Sequence, residues 1–112
     1  MPATYLYIDA YGDMYPVRFQ REDSFGGTLS LTMLTEADGE WLPSACMTVD
    51  LMDEAQSSTR AYLDVPGMGA DCLRWIEANG IGRATGEFAP GSNKEYPLVE
   101  FARDFLEGCV AG

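Results

Sequence analysis

The chain has 112 residues and a formal net charge of −11 at pH 7, from 18 acidic side chains, seven basic side chains and no histidine. So few cations exclude direct binding to nucleic-acid phosphates or to an anionic membrane surface. The absence of histidine excludes histidine-dependent catalytic triads and histidine-ligated metal centres. An apolar content of 46% nevertheless supports a folded core, and the length predicts a single domain over 1–112.

The front half of the chain predicts β-strands. A β-prone run at 5–8 and an alternating apolar run at 15–20 are separated by turn-forming residues, which is typical of a hairpin. Another alternating run covers 28–35, and the dipeptide Asp38–Gly39 predicts a tight turn into a fourth strand at 41–49. Because proline has no backbone N–H to donate, Pro43 predicts either a later start of that strand or an edge position for it.

The back half predicts one main helix among further strands. The helix covers 68–79, where apolar residues recur at helical spacing, and Asn79–Gly80 predicts its end. The other predicted segments are a loop or short helical turn at 50–59, strands at 60–63, 83–88 and 96–101, a turn or loop at 89–94, and a short closing helix at 102–106. This order predicts an α+β fold: an antiparallel sheet of five to seven strands with the main helix packed on one face.

The negative charge is concentrated in the front half. Residues 22–59 contain eight acids and no Lys or Arg, whereas residues 67–112 contain seven acids and four bases. The eight acids are Glu22, Asp23, Glu36, Asp38, Glu40, Asp50, Asp53 and Glu54. The charge is therefore a local feature of this chain as well as a bulk property.

Most of these acids lie in predicted turns and at strand ends. Alternate residues of a strand are about 6 to 7 Å apart, which approximates the phosphate spacing along a nucleic-acid strand. We therefore predict a partner-binding surface that imitates nucleic acid, with Trp41 as an apolar anchor beside the acids. Its predicted residues are Glu36, Asp38, Glu40, Trp41, Asp50, Asp53 and Glu54. The alternative is that the acids serve solubility only.

Other candidate chemistry receives little support from the spacing. The cluster Asp50, Asp53 and Glu54 does not match a calcium-binding loop, so we expect no metal, no cofactor and no enzymatic activity. The glycine-rich segment 80–86 follows the predicted helix, whereas phosphate-binding loops follow a strand and open a helix. Three cysteines without a CxxC motif predict packed thiols, with Cys109 as the candidate surface thiol.

Residues 61–101 resemble an uncharacterised family of small cytosolic proteins encoded on bacterial conjugative elements and phages. The similar stretches are AYLDVPG, WIEANGIGRATGEF and GSNKEYPLVEF. Within them the resemblance is carried by Asn79, Gly80, Gly82, Thr85, Gly86, Ser92, Tyr96, Pro97 and Phe101. The resemblance implies a mobile-element setting, where small acidic proteins are similar to anti-CRISPR and anti-restriction proteins, and it implies no catalytic residue.

Two functions follow as hypotheses. The first is a DNA-mimicking inhibitor that occupies the basic groove of a CRISPR surveillance complex or another DNA-binding defence protein. The second is an accessory module that binds a protein partner through its sheet face or an edge strand, without a role for the acids. Because the sequence has no leader-like or membrane-spanning segment, we expect a cytoplasmic protein, and we expect a monomer.

Overall fold

The computed structural model describes residues 3–9, 11–23, 27–51, 53–91 and 93–111, and its strands form two sheets. In chain order the elements are β1 (Tyr5–Ile8), β2 (Met14–Asp23), β3 (Leu29–Ala37), β4 (Glu40–Cys46), β5 (Thr48–Val49), β6 (Arg60–Leu63), α1 (Val65–Met68), α2 (Cys72–Ala78), β7 (Gly82–Phe88), β8 (Pro97–Phe101), α3 (Arg103–Glu107) and β9 (Val110–Ala111). The predicted α+β class is confirmed. The strands of the described part number nine, more than the five to seven predicted, and they do not form one sheet.

Sheet A is an antiparallel meander in the order β1-β2-β3-β4, and the short strand β9 pairs in parallel with β2. The predicted hairpin of β1 and β2 is present, with Tyr5 opposite Val17 and Ile8 opposite Met14. The strand β4 lies at the edge of sheet A, as the position of Pro43 predicts. Sheet B is antiparallel in the order β5-β6-β8-β7.

The two sheets share one hydrophobic core. From sheet A, alternate residues such as Val17, Phe19 and Leu31 are almost fully buried, as expected for strands with one face toward a core. Sheet B contributes residues such as Leu63 and Val99 to the same cluster. The alternation of apolar and polar residues in the front-half strands therefore determines which face of sheet A is inside.

The two sheets differ in how their outer faces are covered. In β6, three consecutive residues (61–63) are buried, so sheet B has apolar residues on both faces. Tyr62 and Leu98 form a second small cluster with Ala89 on the far side from the main core, where Ala55 and Tyr96 pack against them. On the outer face of sheet A the described residues form no second cluster of this kind, although Leu34 is buried there.

The predicted strand 41–49 is divided between the two sheets. Met47 lies between β4 and β5 and is fully buried. Its N–H donates to Leu31 in sheet A, and its carbonyl accepts from Asp64 beside sheet B, at 2.9 and 3.0 Å. This residue therefore connects the sheets at the point where the chain leaves one and enters the other.

The main helix is shorter than predicted and is placed differently. The predicted helix 68–79 corresponds to α2, which begins only at Cys72. Gly69, with a φ of +101°, ends the single turn α1 and separates it from α2. Instead of covering one face of a sheet, α2 packs against β7 at the edge of sheet B. Its Trp75 indole N–H also donates to the Leu6 carbonyl of β1 at 2.9 Å, at the edge of sheet A. The helix therefore closes one open side of the two-sheet core.

In the part of the chain that the structure describes, the helices are too short to cross a membrane.

Candidate partner-binding site

The tip of the β3–β4 hairpin is a two-residue turn. Asp38 and Gly39 have φ values of +52° and +82°, the left-handed conformation that a type I′ turn requires at both positions. The register places Glu36 opposite Trp41 and Ala37 opposite Glu40. Because opposed residues share a face, Glu36 and Glu40 leave the tip on opposite faces of the sheet. The tip therefore presents its carboxylates around the end of the hairpin, and not in one row.

The β1–β2 turn adds two carboxylates at the same end of sheet A. The N–H of Asp9 donates to the Asp13 carbonyl at 3.0 Å, which closes the turn. The Asp9 carboxylate accepts from the N–H groups of Tyr11 and Asp13 at 2.9 and 3.0 Å. We call the set of acids at this end the hairpin rim; its members are Asp9, Asp13, Glu36, Asp38 and Glu40.

The sequence prediction did not include Asp9 and Asp13. A signal for them exists, because the first and third turns of an antiparallel meander lie at the same end of the sheet. The predicted order of four front-half strands therefore places the 9–13 turn beside the Asp38–Gly39 turn. The prediction omitted Asp9 and Asp13 because they lie outside the base-free segment 22–59.

The hairpin rim has no ion-pair partner among the described residues. The ion pairs of this part of the chain are Arg21 with Asp23, Arg60 with Glu100, and Arg103 with Glu107, at 4.0, 3.5 and 3.7 Å. No ion pair within 4.0 Å therefore offsets these carboxylates among the described residues, and their field favours a basic partner.

The Trp41 ring contacts another side chain of the same fold. The Arg18 guanidinium lies 4.3 Å from the Trp41 ring centre, a cation–π contact, and its Nε donates to the Thr4 hydroxyl at 3.1 Å. Trp41 is half-buried and shares a face with Glu36. The stack fixes the Trp41 ring at the edge of the rim and places the Arg18 guanidinium on the same face as Glu36.

The remaining predicted contact residues lie elsewhere. The loop 50–59 is joined to the start of β3, where the Leu29 N–H donates to the Ser57 carbonyl at 2.9 Å. The rim lies at the other end of β3, and a nine-residue strand spans about 26 Å between its first and last Cα atoms. The seven predicted contact residues therefore do not form one patch: Asp50, Asp53 and Glu54 are separated from the rim.

Asp53 is part of the fold of its loop. Its carboxylate accepts from the Ala55 N–H at 2.8 Å and from the Tyr62 hydroxyl. Burial, followed by this hydrogen bond, raises the pKa of Tyr62. Gln56, which is buried, accepts from the N–H groups of Leu51 and Asp53 at 3.1 Å each. Asp53 therefore orders the cover over the outer face of sheet B.

A cavity of about 280 Å³ lies between β1 and the start of α2. Tyr7 and Cys72 line it and are hydrogen-bonded to each other. Burial raises the pKa of Tyr7 to about 12 and that of Cys72 to about 11, the latter against a smaller opposing effect of the Tyr7 hydroxyl. Both groups are thus protonated near neutral pH and offer no activated nucleophile.

Cys46 is the exposed thiol, whereas Cys109, the predicted surface thiol, is half-buried and donates to the Phe105 carbonyl at 3.3 Å. The three cysteines are free. Within the described ranges, His, Cys, Asp and Glu side chains form no group of three or more that could hold a metal ion.

Comparison with known proteins gives one match. A family model described as a domain of unknown function (DUF4313) matches residues 21–110, which includes most of the chain except β1 and most of β2. No curated protein and no solved structure matches the chain.

Proposed function

The chain belongs to the DUF4313 family, a domain of unknown function, and we propose that it is a non-enzymatic inhibitor that imitates DNA. In this proposal the hairpin rim enters the Lys- and Arg-lined groove of a DNA-binding defence protein. The inhibitor then competes with target DNA for the groove, and it acts as a monomer without a cofactor.

The observation that carries the proposal is the position of five acids, from two hairpins, around one end of sheet A. Their carboxylates have no ion-pair partner among the described residues. Charges arranged in this way accelerate encounter with a basic groove and make the complex sensitive to salt. The same field repels nucleic acid, so the partner is a protein.

The setting of the proposal comes from the resemblance of residues 61–101 to proteins of mobile elements. We propose a bacterial host cytoplasm as the site of action and an anti-CRISPR or anti-restriction role. A CRISPR surveillance complex is the leading candidate partner, because its DNA channel is basic over many base pairs.

Two charge variants test the proposal. The rim variant carries Glu36→Lys, Asp38→Asn and Glu40→Lys, where Asn is chosen because it tolerates the positive φ of position 38. The control variant carries Glu22→Gln, Glu54→Lys and Glu95→Lys, three exposed acids outside the rim. Both variants change the net charge from −11 to −6, because each Glu→Lys adds two charges and each amide adds one.

The measurement is displacement of labelled target DNA from purified CRISPR surveillance complexes and restriction nucleases at low and high salt. We expect the wild type and the control variant to displace DNA from at least one of these proteins. The rim variant should lose about 100-fold or more in potency, in line with the loss of several charge contacts. Equal potency of the rim variant and the wild type would contradict the role of the rim. Failure of the wild type across the panel would overturn the inhibitor proposal.

A further inference from the structure

The β1–β2 hairpin has an unusual number of exposed apolar side chains. Leu6 and Ile8 are each 51% exposed, Met14 is 57% exposed and Tyr11 is 91% exposed. The other large apolar residues with substantial exposure in the described part are Leu42 on β4, Leu51 in the loop 50–59 and Phe88 on β7. Exposed apolar side chains that cluster in this way mark interaction surfaces, whereas single ones do not.

Three of these side chains lie together on the outer face of sheet A. Leu6 is opposite Pro16 and Ile8 is opposite Met14, and opposed residues of an antiparallel pair share a face. The intervening residues Tyr7 and Val17 belong to the core, so the face of Leu6 and Ile8 is the outer one. We call this set of four residues, Leu6, Ile8, Met14 and Pro16, the outer patch.

The outer patch has acidic neighbours. Asp9 and Asp13 flank it in the same hairpin, and Glu36 follows Leu34, which is opposite Arg18 on the outer face. Arg21, the other base of β2, is opposite the core residue Leu31 and therefore lies on the inner face. Arg18 is stacked on Trp41. The outer patch is therefore an apolar surface bordered by Asp9, Asp13 and Glu36, with Arg18 as the one base of β2 on the same face.

We infer that the outer patch is a docking surface for a basic amphipathic segment of a protein partner. Large apolar side chains of the segment would cover Leu6, Ile8 and Met14, and its Lys or Arg side chains would meet the rim carboxylates. A second copy of this chain is disfavoured, because it would bring a second set of rim acids to the interface. An anionic membrane is disfavoured for the same reason.

The inference rests on the proposed function for the sign of the partner's charge only. Beyond the proposed function, the inference states that apolar contacts on the sheet face contribute to binding. DNA mimicry by charge alone does not require such contacts. The apolar contact therefore has to be tested without a nuclease or DNA.

The test uses peptide selection with the intact chain. Immobilised wild type selects from a displayed library of random short peptides, and the selected peptides are synthesised and titrated by fluorescence anisotropy. The patch variant carries Leu6→Thr, Ile8→Thr and Met14→Thr, because threonine keeps the β-propensity of the strands. The control variant carries Leu51→Thr and Phe88→Thr, at side chains 39% and 40% exposed outside the patch.

We expect the selected peptides to combine at least two Lys or Arg with large apolar residues. Their Kd should rise at least about tenfold with the patch variant and stay within about twofold with the control variant. Binding should weaken between about 50 and 300 mM NaCl, because the ionic contacts are screened. Circular dichroism of the patch variant shows whether its fold is intact; if it is not, the single change Met14→Thr replaces it, with a smaller but measurable loss expected.

The inference is overturned if no peptide is selected, if the selected peptides lack basic residues, or if they bind the patch variant as tightly as the wild type. It is also overturned if sedimentation shows a wild-type dimer that the patch variant loses, since the occupant would then be a second copy. Peptide binding together with failure to displace DNA from any defence protein would contradict the proposed function and leave the inference standing. Displacement of DNA by the wild type without any peptide binding would contradict the inference and leave the proposed function standing.

Discussion

At the scale of single residues, Asp53 and Glu54 are neighbours of the same charge with different roles. The Asp53 carboxylate accepts hydrogen bonds from the Ala55 N–H and the Tyr62 hydroxyl, and Tyr62 is 2% exposed. Glu54 is exposed. A buried hydroxyl that loses its acceptor pays a desolvation penalty, so removing the carboxylate at position 53 affects more than the surface charge.

We predict that Asp53→Ala lowers the free energy of unfolding by about 1 to 3 kcal/mol, because the Tyr62 hydroxyl and the Ala55 N–H lose their acceptor. Glu54→Ala serves as the matched control and should change it by less than about 0.5 kcal/mol. The measurement is urea unfolding followed by far-ultraviolet circular dichroism. Equal effects of the two substitutions would show that the carboxylate of Asp53 does not stabilise its loop.

At the scale of secondary-structure elements, Trp75 attaches α2 to sheet A. Its ring packs against Tyr5, Tyr7 and Phe19, with centroid separations of 6.4, 5.0 and 6.1 Å. Its indole N–H occupies the Leu6 carbonyl on the open edge of β1. On the other side of α2, Glu77 accepts from the Ala84 N–H of β7 at 3.2 Å. The helix thus protects two strand edges that could otherwise pair with other chains.

We predict that Trp75→Phe lowers the free energy of unfolding by about 1 kcal/mol, because the ring packing is largely kept and the hydrogen bond to Leu6 is lost. Trp75→Ala should cost about 3 to 5 kcal/mol, since the ring packing is lost as well. Chemical denaturation of both variants gives the two values. If Phe and Ala at this position are equally destabilising, the packing of the aromatic ring does not contribute to stability and the hydrogen bond to Leu6 accounts for the whole effect.

At the scale of the whole molecule, the acids are distributed at both ends of sheet A. The hairpin rim lies at one end, and the loop 50–59 lies near the start of β3 at the other. The nine residues of β3 span about 26 Å between these ends, so the two groups are separated by more than a Debye length of about 8 Å at physiological salt. The net charge of −11 nevertheless opposes compaction through the repulsion within each group.

We predict that the chain is stabilised by salt. Between about 10 mM and 0.5 M NaCl the Tm should rise by about 3 to 8 °C, because screening relieves the repulsion between carboxylates. The rim variant and its control variant, each with a net charge of −6, should both show a smaller rise. Differential scanning calorimetry measures the Tm of each protein at each salt concentration. A Tm that is independent of salt in the wild type would show that repulsion does not limit stability.

Local signals predicted much of the secondary structure. The β1–β2 hairpin follows from alternation, the bounds of β6 from a short apolar run, and the turn at Asp38–Gly39 from two residues that tolerate positive φ. The end of α2 was predicted at Asn79–Gly80, where Gly80 has a φ of +68°. These features depend on backbone conformation and on neighbours close in sequence, which a single sequence contains.

Long-range packing decided the features that the sequence did not predict. The predicted strand 41–49 reads as continuous, but Met47 donates to sheet A and accepts from the chain beside sheet B, so the strand divides between them. The predicted helix 68–79 is interrupted at Gly69, where α1 ends and α2 has to turn toward Tyr7 and Leu6. The strand divides because sheet B pairs with residues that local propensity assigns to one continuous strand, and the helix starts late because α2 packs against β1 and β7.

By itself, the sequence determined that this protein is strongly acidic, that its acids concentrate in the front half, and that it forms strands followed by a helix. Only the tertiary structure decided which acids are neighbours. Antiparallel pairing brings Asp9 and Asp13 to the end of sheet A that carries Glu36, Asp38 and Glu40. Asp53 lies in the loop near the other end of β3, where it accepts from the Tyr62 hydroxyl. The physical reason is that charge and propensity belong to single residues, whereas proximity depends on strand order and register.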